Sequence, residues 1–529
     1  MAELAAPRSP IQIVWFKKDV RLHDHGPLAQ AILEGLPTVL LYVFEPSLRS
    51  LPESDDRHWR FILQGVKHLH SDLKRNGHSL LVVEGEVLDI LDYLHSTTRI
   101  AKIYSYEETG LEATYRRDQA VGQWCVARGV DWQEIERDGV KRALLDRRNW
   151  QERWQSYMDG AEYEVDLSRL QSVDLTPIPD RLRVKLTPEI LKTEPRFQIG
   201  GEDKALSLLH SFVSERASGY LRNLARPEYS QSTCSRLSPY MAHGQVSARR
   251  VFQQTKRVRE RLGKNIDQFH NRMWWRCHYI QKLETEYQIE KEHINRGFDQ
   301  IHKPFSSTYF ERWSTGQTGF PMIDAAMRCV NHTGYLNFRM RAMLATFWAF
   351  TLWQDWRPGA TYLARMFLDF DPGIHYPQFQ MQAGMTGYHP LRIFNPIVQA
   401  KKYDDYGVFI KKWVPELANI PAPMTSTPWL LSPMEQSFYR CQIGKDYPLP
   451  IVDYQAATER AKTIYWEYRK QKKVREQLPS VWKKHSLPKD IVGYTQEFFA
   501  GKEILVTESI MYDPTKEPAT GPPKTNFEG

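Results

Sequence analysis

The first 135 residues alternate short apolar runs with segments of helix length, and this alternation restricts the fold more than any other feature. Four runs have the length and composition of buried strands: 11–16, 38–44, 79–83 and 102–106. Helix-length segments separate them, near residues 26–34, 57–76 and 86–96. Because strands that alternate with helices form parallel sheets covered on both faces, the pattern predicts an α/β domain.

Polar loops follow the first and the fourth of these runs, at residues 17–21 and 107–110. In open parallel sheets, ligands bind in the crevice outside the carboxyl ends of the strands. We therefore expect these two loops to border a ligand site at one edge of the sheet.

Beyond residue 135 the pattern changes twice. Prolines interrupt residues 136–202, where strand and helix patterns weaken, and this predicts a long connection between domains. From residue 203 the apolar periodicity is helical. It predicts core helices at 321–330 and over 337–356, and a charged surface helix at 453–474.

The chain is thus expected to form an N-terminal parallel-sheet domain of Rossmann type followed by a large all-α domain. After Pro488 the sequence is polar and rich in proline, which predicts a flexible tail. The predicted divisions are an α/β domain at 1–135, a connection at 136–202, an all-α domain at 203–487 and a tail at 488–529.

Composition narrows the classes of protein to consider. The five cysteines are scattered without a Cys-x-x-Cys pair, so neither a metal site nor a disulfide framework is predicted, and a reducing, cytoplasmic setting is expected. We find no apolar run of membrane-spanning length. The net charge of +8 favours a polyanionic partner. We expect a cytoplasmic monomer that binds no membrane.

A short hydroxyl-rich segment has the composition of an anion site. Residues 235–238 read Ser-Arg-Leu-Ser, and Pro239 stands where a new helix can begin. Hydroxyls, backbone N–H groups and a helix N-terminus together can hold a phosphate or a diphosphate. A serine-rich N-cap followed by an ordinary helix explains the same residues equally well.

Four motifs in the helical half carry chemistry in a fixed order. Trp275 and Tyr279 stand four residues apart on one predicted helical face, and residues 337–341 contain two arginines. Residues 368–373 contain two carboxylates, and Arg-Ile-Phe-Asn-Pro at 392–396 precedes a basic stretch. Each motif alone also reads as an amphipathic helix, a solvated ion pair or a turn.

Taken together, the motifs resemble the DNA photolyase/cryptochrome family over roughly residues 11–485, with features of a divergent bacterial-type branch. The opening segment 14–24 looks like the family's first strand and loop, and 235–238 looks like its flavin-phosphate loop. Residues 313–328 match a long family motif almost throughout. Residues 392–396 and 409–417 complete the match.

The resemblance implies FAD in the helical domain. Arg341 and Asp369 would form an ion pair beside the flavin ring, although a purely structural salt bridge is the alternative. Cys234 stands where the family usually has threonine. The cofactor-binding residues implied by position are Tyr220, Cys234, Ser235, Arg236, Leu237, Ser238, Phe269, Arg276, Arg341, Asp369, Asp371 and His375.

The resemblance also implies damaged DNA, single- or double-stranded, as the partner. Trp275 and Tyr279 would line a lesion pocket with Met343 or Met381. The catalytic candidates are Trp275, Tyr279, Trp356, His375 and Met381. The DNA-binding candidates are Arg272, Arg339, Arg392, Gln399, Lys401 and Lys402, and for each lysine a solvated surface position is the alternative.

Several positions depart from the family pattern. Arg272 stands where an acidic residue often polarises the dimer, and His375 stands where photolyases commonly have asparagine opposite flavin N5. A histidine there can donate a hydrogen bond or a proton. The asparagine of the helical domain falls at Phe338, or shifts by one residue to Asn337.

The tryptophan chain that reduces the flavin in the family is interrupted. Its middle member matches Trp356, but the flavin-proximal member falls at Phe379 and the distal one near residues 303–305. Phenylalanine is far harder to oxidise than tryptophan or tyrosine. The sequence offers four alternatives for another route, namely Trp348, Trp353, Tyr376 and Tyr388.

The sequence therefore favours a blue-light-driven DNA repair lyase that uses reduced FAD to split pyrimidine dimers. The alternatives are a cryptochrome-like photoreceptor with the same flavin, and an electron-transfer flavoprotein that leaves the basic stretch at 392–402 unexplained. A folate antenna would lie against Glu107, Glu108 and the loop after the first strand. A deazaflavin antenna, or none, fits the same residues.

Overall fold

A five-stranded parallel sheet forms the N-terminal part of the chain in the computed structural model, which describes residues 10–486. The tail predicted at 488–529 lies outside the described residues. The strand order is β3-β2-β1-β4-β5. The strands are β1 Pro10–Phe16, β2 Thr38–Phe44, β3 Leu80–Glu84, β4 Arg99–Tyr106 and β5 Asp131–Ile135.

The central strands read as uninterrupted apolar runs because both of their faces are buried. In β1, Ile13 and Trp15 join the apolar cluster on one face, while Val14 and Phe16 join the cluster on the other. Val14 aligns with Leu40 of β2 on one side and with a β4 residue on the other. The predicted α/β fold and its four strands are confirmed.

The fifth strand, β5, was not predicted from the sequence. It pairs with β4 alone and reads Asp-Trp-Gln-Glu-Ile, without fully buried positions. An edge strand of this kind lacks the apolar run by which the inner strands are recognised. The helices of the first 201 residues are α1 Gly26–Glu34, α2 Pro46–Arg49, α3 Asp56–Arg75, α4 Val87–Thr97, α5 Glu112–Arg128, α6 Trp150–Asp159 and α7 Pro188–Leu191.

The remainder of the described chain is helical, as predicted. Its helices are α8 Glu202–Ser214, α9 Tyr220–Asn223, α10 Pro227–Thr233, α11 Ser238–Ala242, α12 Ala248–Lys256, α13 Arg259–Leu262, α14 Lys264–Thr285, α15 Ser307–Thr315, α16 Pro321–Thr333, α17 Phe338–Thr346, α18 Trp356–Met366, α19 Pro372–Gln382, α20 Pro396–Tyr403, α21 Val408–Trp413, α22 Pro433–Phe438, α23 Tyr454–Lys470 and α24 Lys472–His485. Short 3-10 turns join several of them.

The prediction of helix over 337–356 is wrong for its last residues, because the helical path is not continuous. α17 passes into one turn of π-helix at Phe347–Thr351, and the helical path then breaks. Trp353 adopts a φ of 53°, a left-handed conformation that a helix interior excludes. Asp355 then accepts a hydrogen bond from the Arg357 N–H and so caps the start of α18.

The segment at 136–202 contributes buried side chains to the helical part. Trp150, Trp154 and Met158 of α6 lie in the same apolar cluster as α12 and α14. Ion pairs and hydrogen bonds also join the edge of the sheet to the helical part. Arg21 donates to the Gly244 carbonyl oxygen over 3.0 Å. The predicted domain boundaries stay predictions.

Within residues 10–486, no helix is long and apolar enough to span a membrane.

Candidate active site

A bidentate ion pair lies at the centre of the predicted cofactor residues. The Arg341 guanidinium donates Nη1 to Oδ1 of Asp369 over 3.0 Å and Nη2 to Oδ2 over 2.8 Å. Its Nε donates to the Leu336 carbonyl oxygen over 2.7 Å, which fixes the plane of the guanidinium. Burial raises the pKa of Asp369, but the Arg341 charge outweighs it and the net pKa is lowered. The pair is therefore charged.

The hydroxyl-rich loop adjoins this pair. Ser238 hydrogen-bonds to Asp369, which connects the loop at 235–238 to the ion pair. Arg216 donates to the carbonyl oxygens of Cys234 and Ser235. Because C=O and N–H point in opposite directions across a trans peptide, the N–H groups that follow these carbonyls face away from Arg216. They form, with the Ser235 hydroxyl, a set of donors suited to a diphosphate, whereas the Ser238 hydroxyl already donates to Asp369.

Three other predicted cofactor residues have their side chains bound within the protein. The backbone of Arg236 has a φ of 62°. Its guanidinium donates to Oε1 of Gln198 over 2.8 Å and lies 3.6 Å from the centre of the Tyr335 ring. Leu237 is fully buried, so its side chain packs in the core. Burial raises the pKa of the Cys234 thiol to about 11, so it is neutral and contacts Tyr335.

Two aromatic candidates form a wall near Cys234. The rings of Tyr220 and Phe269 meet edge to face with centroids 5.7 Å apart. Both belong to the cluster that also contains Leu237. Their placement brings the wall and the 235–238 loop together, as the cofactor prediction requires.

A buried arginine links the second carboxylate to the segment that follows β5. Arg276 of α14 donates to Asp138 over 2.8 Å and to Asp371 over 3.4 Å. Asp371 also caps α19 by accepting from the Gly373 N–H over 3.0 Å. Its carboxylate is thus oriented by two donors before any ligand arrives.

His375 lies on α19 one turn after Asp371. Its Nε2 contacts the Ala360 carbonyl oxygen over 2.8 Å, which assigns the hydrogen to Nε2 and leaves Nδ1 as an acceptor. Burial lowers the pKa of His375 to about 4. The imidazole is therefore neutral at physiological pH, and its one N–H is already used.

The predicted lesion-pocket residues meet across α14 and α19. The rings of Trp275 and Tyr279 lie 5.6 Å apart, and the Tyr279 hydroxyl donates to the Met381 sulfur over 3.4 Å. Met343 is fully buried in the main helical core, so of the two methionines it is Met381 that joins this group. A β-carbon on Gly373 would lie 2.8 Å from the Ile280 Cα, so glycine permits this close helix contact.

The predicted DNA-binding residues fall into two groups. Lys401 and Lys402 are exposed on α20, whereas Gln399 on the same helix is buried and accepts from Arg339 over 3.4 Å. Arg339 also lies 4.5 Å above the Tyr403 ring. Two further arginines are partly buried: Arg272 lies 5.3 Å from the Phe338 ring, and Arg392 lies in the loop before α20.

The aromatic residues near His375 form one continuous series. Trp356 lies 6.2 Å from Tyr376, and Tyr376 lies 5.4 Å from His375. Phe379 lies 5.8 Å from the same histidine. The other sequence candidates have different neighbours: Trp348 contacts Trp313, Trp353 lies under Lys303, and Tyr388 contacts Lys282.

A cleft of about 140 Å³ lies between the carboxyl edge of the sheet and the helical part. Lys18, Glu45, Glu108, His243 and Phe370 are among its lining residues. Burial raises the pKa of Glu108, but Arg117, Lys18 and Lys17 outweigh it and bring that pKa to about 2. Glu107 lines a separate small pocket beside Asp371, and burial raises its pKa to about 7.

Sequence reasoning missed several side chains that hold these groups. Asp138 and Glu53 contact site residues that lie 138 and 323 positions away in the chain, and Arg216 contacts Ser235, 19 positions away. No local spacing connects such residues. The one local sequence feature that could have indicated such a contact is the charge of Asp138 beside a glycine, and it is a weak indication.

Two family models match the chain. One, described as the FAD binding domain of DNA photolyase, matches residues 269–467, and the other, DNA photolyase, matches residues 12–140. The helical half therefore defines an FAD-binding protein. The polar groups of this site, an arginine–aspartate pair beside a loop with hydroxyl and N–H donors, fit a flavin dinucleotide. The chain belongs to the DNA photolyase/cryptochrome family.

Relatives of both kinds are similar to this chain. It is 28% identical over 477 residues to the deoxyribodipyrimidine photo-lyase of Alkalihalophilus pseudofirmus, covering 86% of this chain and 98% of that protein. It is 28% identical over 493 residues to the cryptochrome DASH of Synechocystis, covering 86% and 98%. A bacterial class III photolyase from Agrobacterium tumefaciens superposes with a TM-score of 0.77 at 25% identity, covering 89% and 100%.

An archaeal photolyase from Sulfolobus tokodaii, whose structure holds two FAD molecules, superposes with a TM-score of 0.70. It is 26% identical and covers 86% of this chain and 100% of that one.

Proposed function

We propose that the protein is a blue-light-driven DNA repair lyase that splits cyclobutane pyrimidine dimers. FAD, when bound and reduced, supplies the electron that opens the dimer. The observation that carries the proposal is the pairing of α14 with α19. These two helices hold the lesion-pocket residues Trp275, Tyr279 and Met381 and also the cofactor residues Arg276, Asp371 and His375.

The side chains divide the work. Arg341 presents a fixed positive charge that stabilises negative charge on a reduced flavin. Trp275 and Tyr279 offer aromatic faces, and Met381 a polarisable one, to bases that have left the stack. His375 is neutral, and its N–H donates a hydrogen bond to the Ala360 carbonyl oxygen. We therefore assign it a positioning role and not proton transfer.

The basic surface supplies the sequence-independent part of DNA affinity. Lys401 and Lys402 are exposed on α20, and the partly buried Arg392 lies in the loop before this helix. Arg272, which is also partly buried, lies on α14. Contacts between such side chains and phosphates position a strand without reading its bases. We propose damaged DNA as the partner, with the single-stranded form included.

The test is illumination of purified, chemically reduced protein with dimer-containing oligonucleotides, single- and double-stranded. Repair is expected as loss of dimers, measured by chromatography of the digested strands, with a dark sample as the control. A protein that binds FAD and responds to light but leaves every dimer intact would favour a photoreceptor. That alternative has support of its own, since cryptochrome DASH relatives are as similar as photolyases.

A matched pair of variants tests the lesion pocket. Trp275→Ala removes the aromatic face and is expected to lower repair by roughly tenfold to a hundredfold, because stacking is worth about 1–3 kcal/mol per base. Trp466→Ala removes an exposed surface tryptophan of α23 as the control. FAD absorbance should be unchanged in both.

A further inference from the structure

Tyr376 and Glu53 form a buried hydrogen bond between the helical part and the sheet domain. The Tyr376 hydroxyl donates to Oε1 of Glu53 over 2.8 Å. Tyr376 is 2% exposed and Glu53 is 8% exposed, so the bond is shielded from water. Burial, and then the Glu53 charge, raise the pKa of Tyr376 well above its ordinary value. The phenol therefore stays protonated unless its ring is oxidised.

Trp356, the neighbour of Tyr376, has the opposite surroundings. Its ring lies 6.2 Å from Tyr376, but its indole Nε1 is buried and has no hydrogen-bond partner among the described residues. The Arg357 guanidinium lies 5.0 Å from the same ring, but its charge is paired with the Asp355 carboxylate over 2.8 Å. An oxidised Trp356 would have no acceptor for its proton among the described residues. The positive charge would then stay on a buried ring, which makes this ring harder to oxidise.

We propose that Tyr376 is the residue that gives its electron to photoexcited FAD and that Glu53 accepts the phenolic proton. Tyr376 adjoins His375, the residue that the family resemblance places opposite flavin N5, and their ring centroids lie 5.4 Å apart. Phe379, which occupies the family's flavin-proximal position, cannot take this role because its ring is not readily oxidised.

The electron and the proton leave Tyr376 in different directions. One electron leaves Tyr376 for the photoexcited cofactor, and the hydroxyl proton moves along the 2.8 Å hydrogen bond to Oε1 of Glu53. A neutral tyrosyl radical and a protonated carboxyl group remain. An external thiolate then supplies one electron to the radical and becomes a thiyl radical, and the proton returns from Glu53 to the phenolic oxygen.

Glu53 connects this bond to the open cleft. It lines the cleft together with Ser54 and Leu51, so an external reductant can approach its side of the pair. The other charged groups that face the pair are Glu290, whose pKa is raised by burial, and Lys291 on the surface. Glu290 adds negative charge beside Tyr376 and so also favours its oxidation.

The first test identifies the radical in the unmodified protein, without DNA. FAD-loaded protein is illuminated at low temperature without thiol, and the trapped radical is identified by electron paramagnetic resonance. A tyrosyl signal that disappears in Tyr376→Phe is expected. A tryptophanyl signal in the unmodified protein, with no tyrosyl component, overturns the proposal.

The second test follows the proton. In Glu53→Gln the side chain keeps its size but loses its basic oxygen. Flavin photoreduction with thiol is expected to slow by roughly tenfold, the effect of about 1.4 kcal/mol. The rate in the unmodified protein should fall in D₂O, and this isotope effect should vanish in Glu53→Gln. An isotope effect of the same size in both proteins contradicts proton transfer to Glu53.

Two comparisons separate this role from a structural one. Tyr447 is another buried tyrosine, bonded to the Asp324 carboxylate, and Tyr447→Phe removes an equivalent hydrogen bond away from His375. It should alter unfolding but neither the radical nor the isotope effect. Trp356→Phe distinguishes the donors: a tyrosyl signal that persists there supports Tyr376, and its loss assigns the donor to Trp356. Because no test uses DNA, failure of repair leaves these outcomes intact.

Discussion

The carboxylates at the start of α19 and the lysines at the end of α20 both belong to predicted binding sites, yet they are held in different ways. Asp369 and Asp371 each accept from a buried or half-buried arginine and are oriented within the protein. Lys401 and Lys402 are exposed, and the Lys402 ammonium lies 5.8 Å from the centre of the Tyr403 ring. The carboxylates are thus held in place by the protein, whereas the lysines are exposed at the surface.

This difference predicts how strongly each region responds to mutation. Removing one partner of a buried ion pair leaves an uncompensated charge and costs about 3–5 kcal/mol. An exposed charge contributes about 1 kcal/mol or less and is screened by salt. We therefore expect the largest effects at the start of α19 and smaller, salt-dependent effects on α20.

Asp371→Ala is expected to have the largest effect of the variants at these two regions. It removes the cap of α19 and leaves Arg276 with Asp138 as its only carboxylate among the described residues. Most of the bound FAD should be lost, measured as the ratio of flavin to protein absorbance. Asp405→Ala, which breaks an exposed ion pair with Arg226, is the control and should retain FAD. Full flavin occupancy in Asp371→Ala would exclude Asp371 as a determinant of FAD binding.

The exposed side is tested by reversing Lys401 and Lys402 to glutamate. DNA binding should weaken for all sequences alike, because phosphate contacts carry no sequence information. The slope of log affinity against log salt should become shallower by about 0.7–0.9 for each phosphate that the variant no longer neutralises. Lys470 and Lys472, exposed where α23 meets α24, provide a control with the same change of net charge. Equal weakening in both pairs would assign the effect to net charge alone.

The sequence predicted the inner strands and the pairing of Arg341 with Asp369 because both leave local patterns. The strands are apolar runs, and Arg341, Asp369 and Asp371 lie in motifs of fixed spacing. Edge strand β5 and the break before α18 escaped because polar side chains and a left-handed tryptophan carry no such pattern.

The partners of the site residues escaped for another reason. Arg236 was predicted to contact the cofactor, but its guanidinium is bound to Gln198 and Tyr335. Glu53 was not predicted at all, because its contact with Tyr376 is made only by the approach of two distant segments. Spacing along the chain identifies which residues share an element, whereas tertiary packing decides which side chains remain available.

Lowering the pH should destabilise the fold through its buried histidines. Burial lowers the pKa values of His58, His270, His375 and His485 to about 4. The unfolded chain binds these protons near pH 6.5, so it holds more protons than the folded protein between pH 6.5 and 4. Stability is therefore complete above pH 6.5 and declines as the pH falls through this window.

Thermal unfolding measured from pH 7 to pH 4 tests this expectation, with flavin release followed in the same samples. His375→Gln keeps a donor for the Ala360 carbonyl oxygen but does not titrate, so its unfolding should depend less steeply on pH. His302→Gln, which replaces an exposed histidine, is the control and should keep the original slope. Identical slopes in all three proteins would contradict a buried neutral His375.

The smallest expected effect is at Cys234, which stands where the family usually has threonine. The neutral thiol contacts Tyr335 and directly precedes the loop at 235–238, whose hydroxyl and N–H groups are the donors we propose for the diphosphate. Cys234→Thr exchanges a weak donor for a hydroxyl, and one net hydrogen bond is worth about 0.5–1.5 kcal/mol. FAD affinity should therefore rise by roughly twofold to tenfold, measured by titration of flavin-free protein. Cys234→Val, of similar shape without a hydroxyl, is the control, and an equal gain in both variants would assign the effect to packing against Tyr335 rather than to contact with FAD.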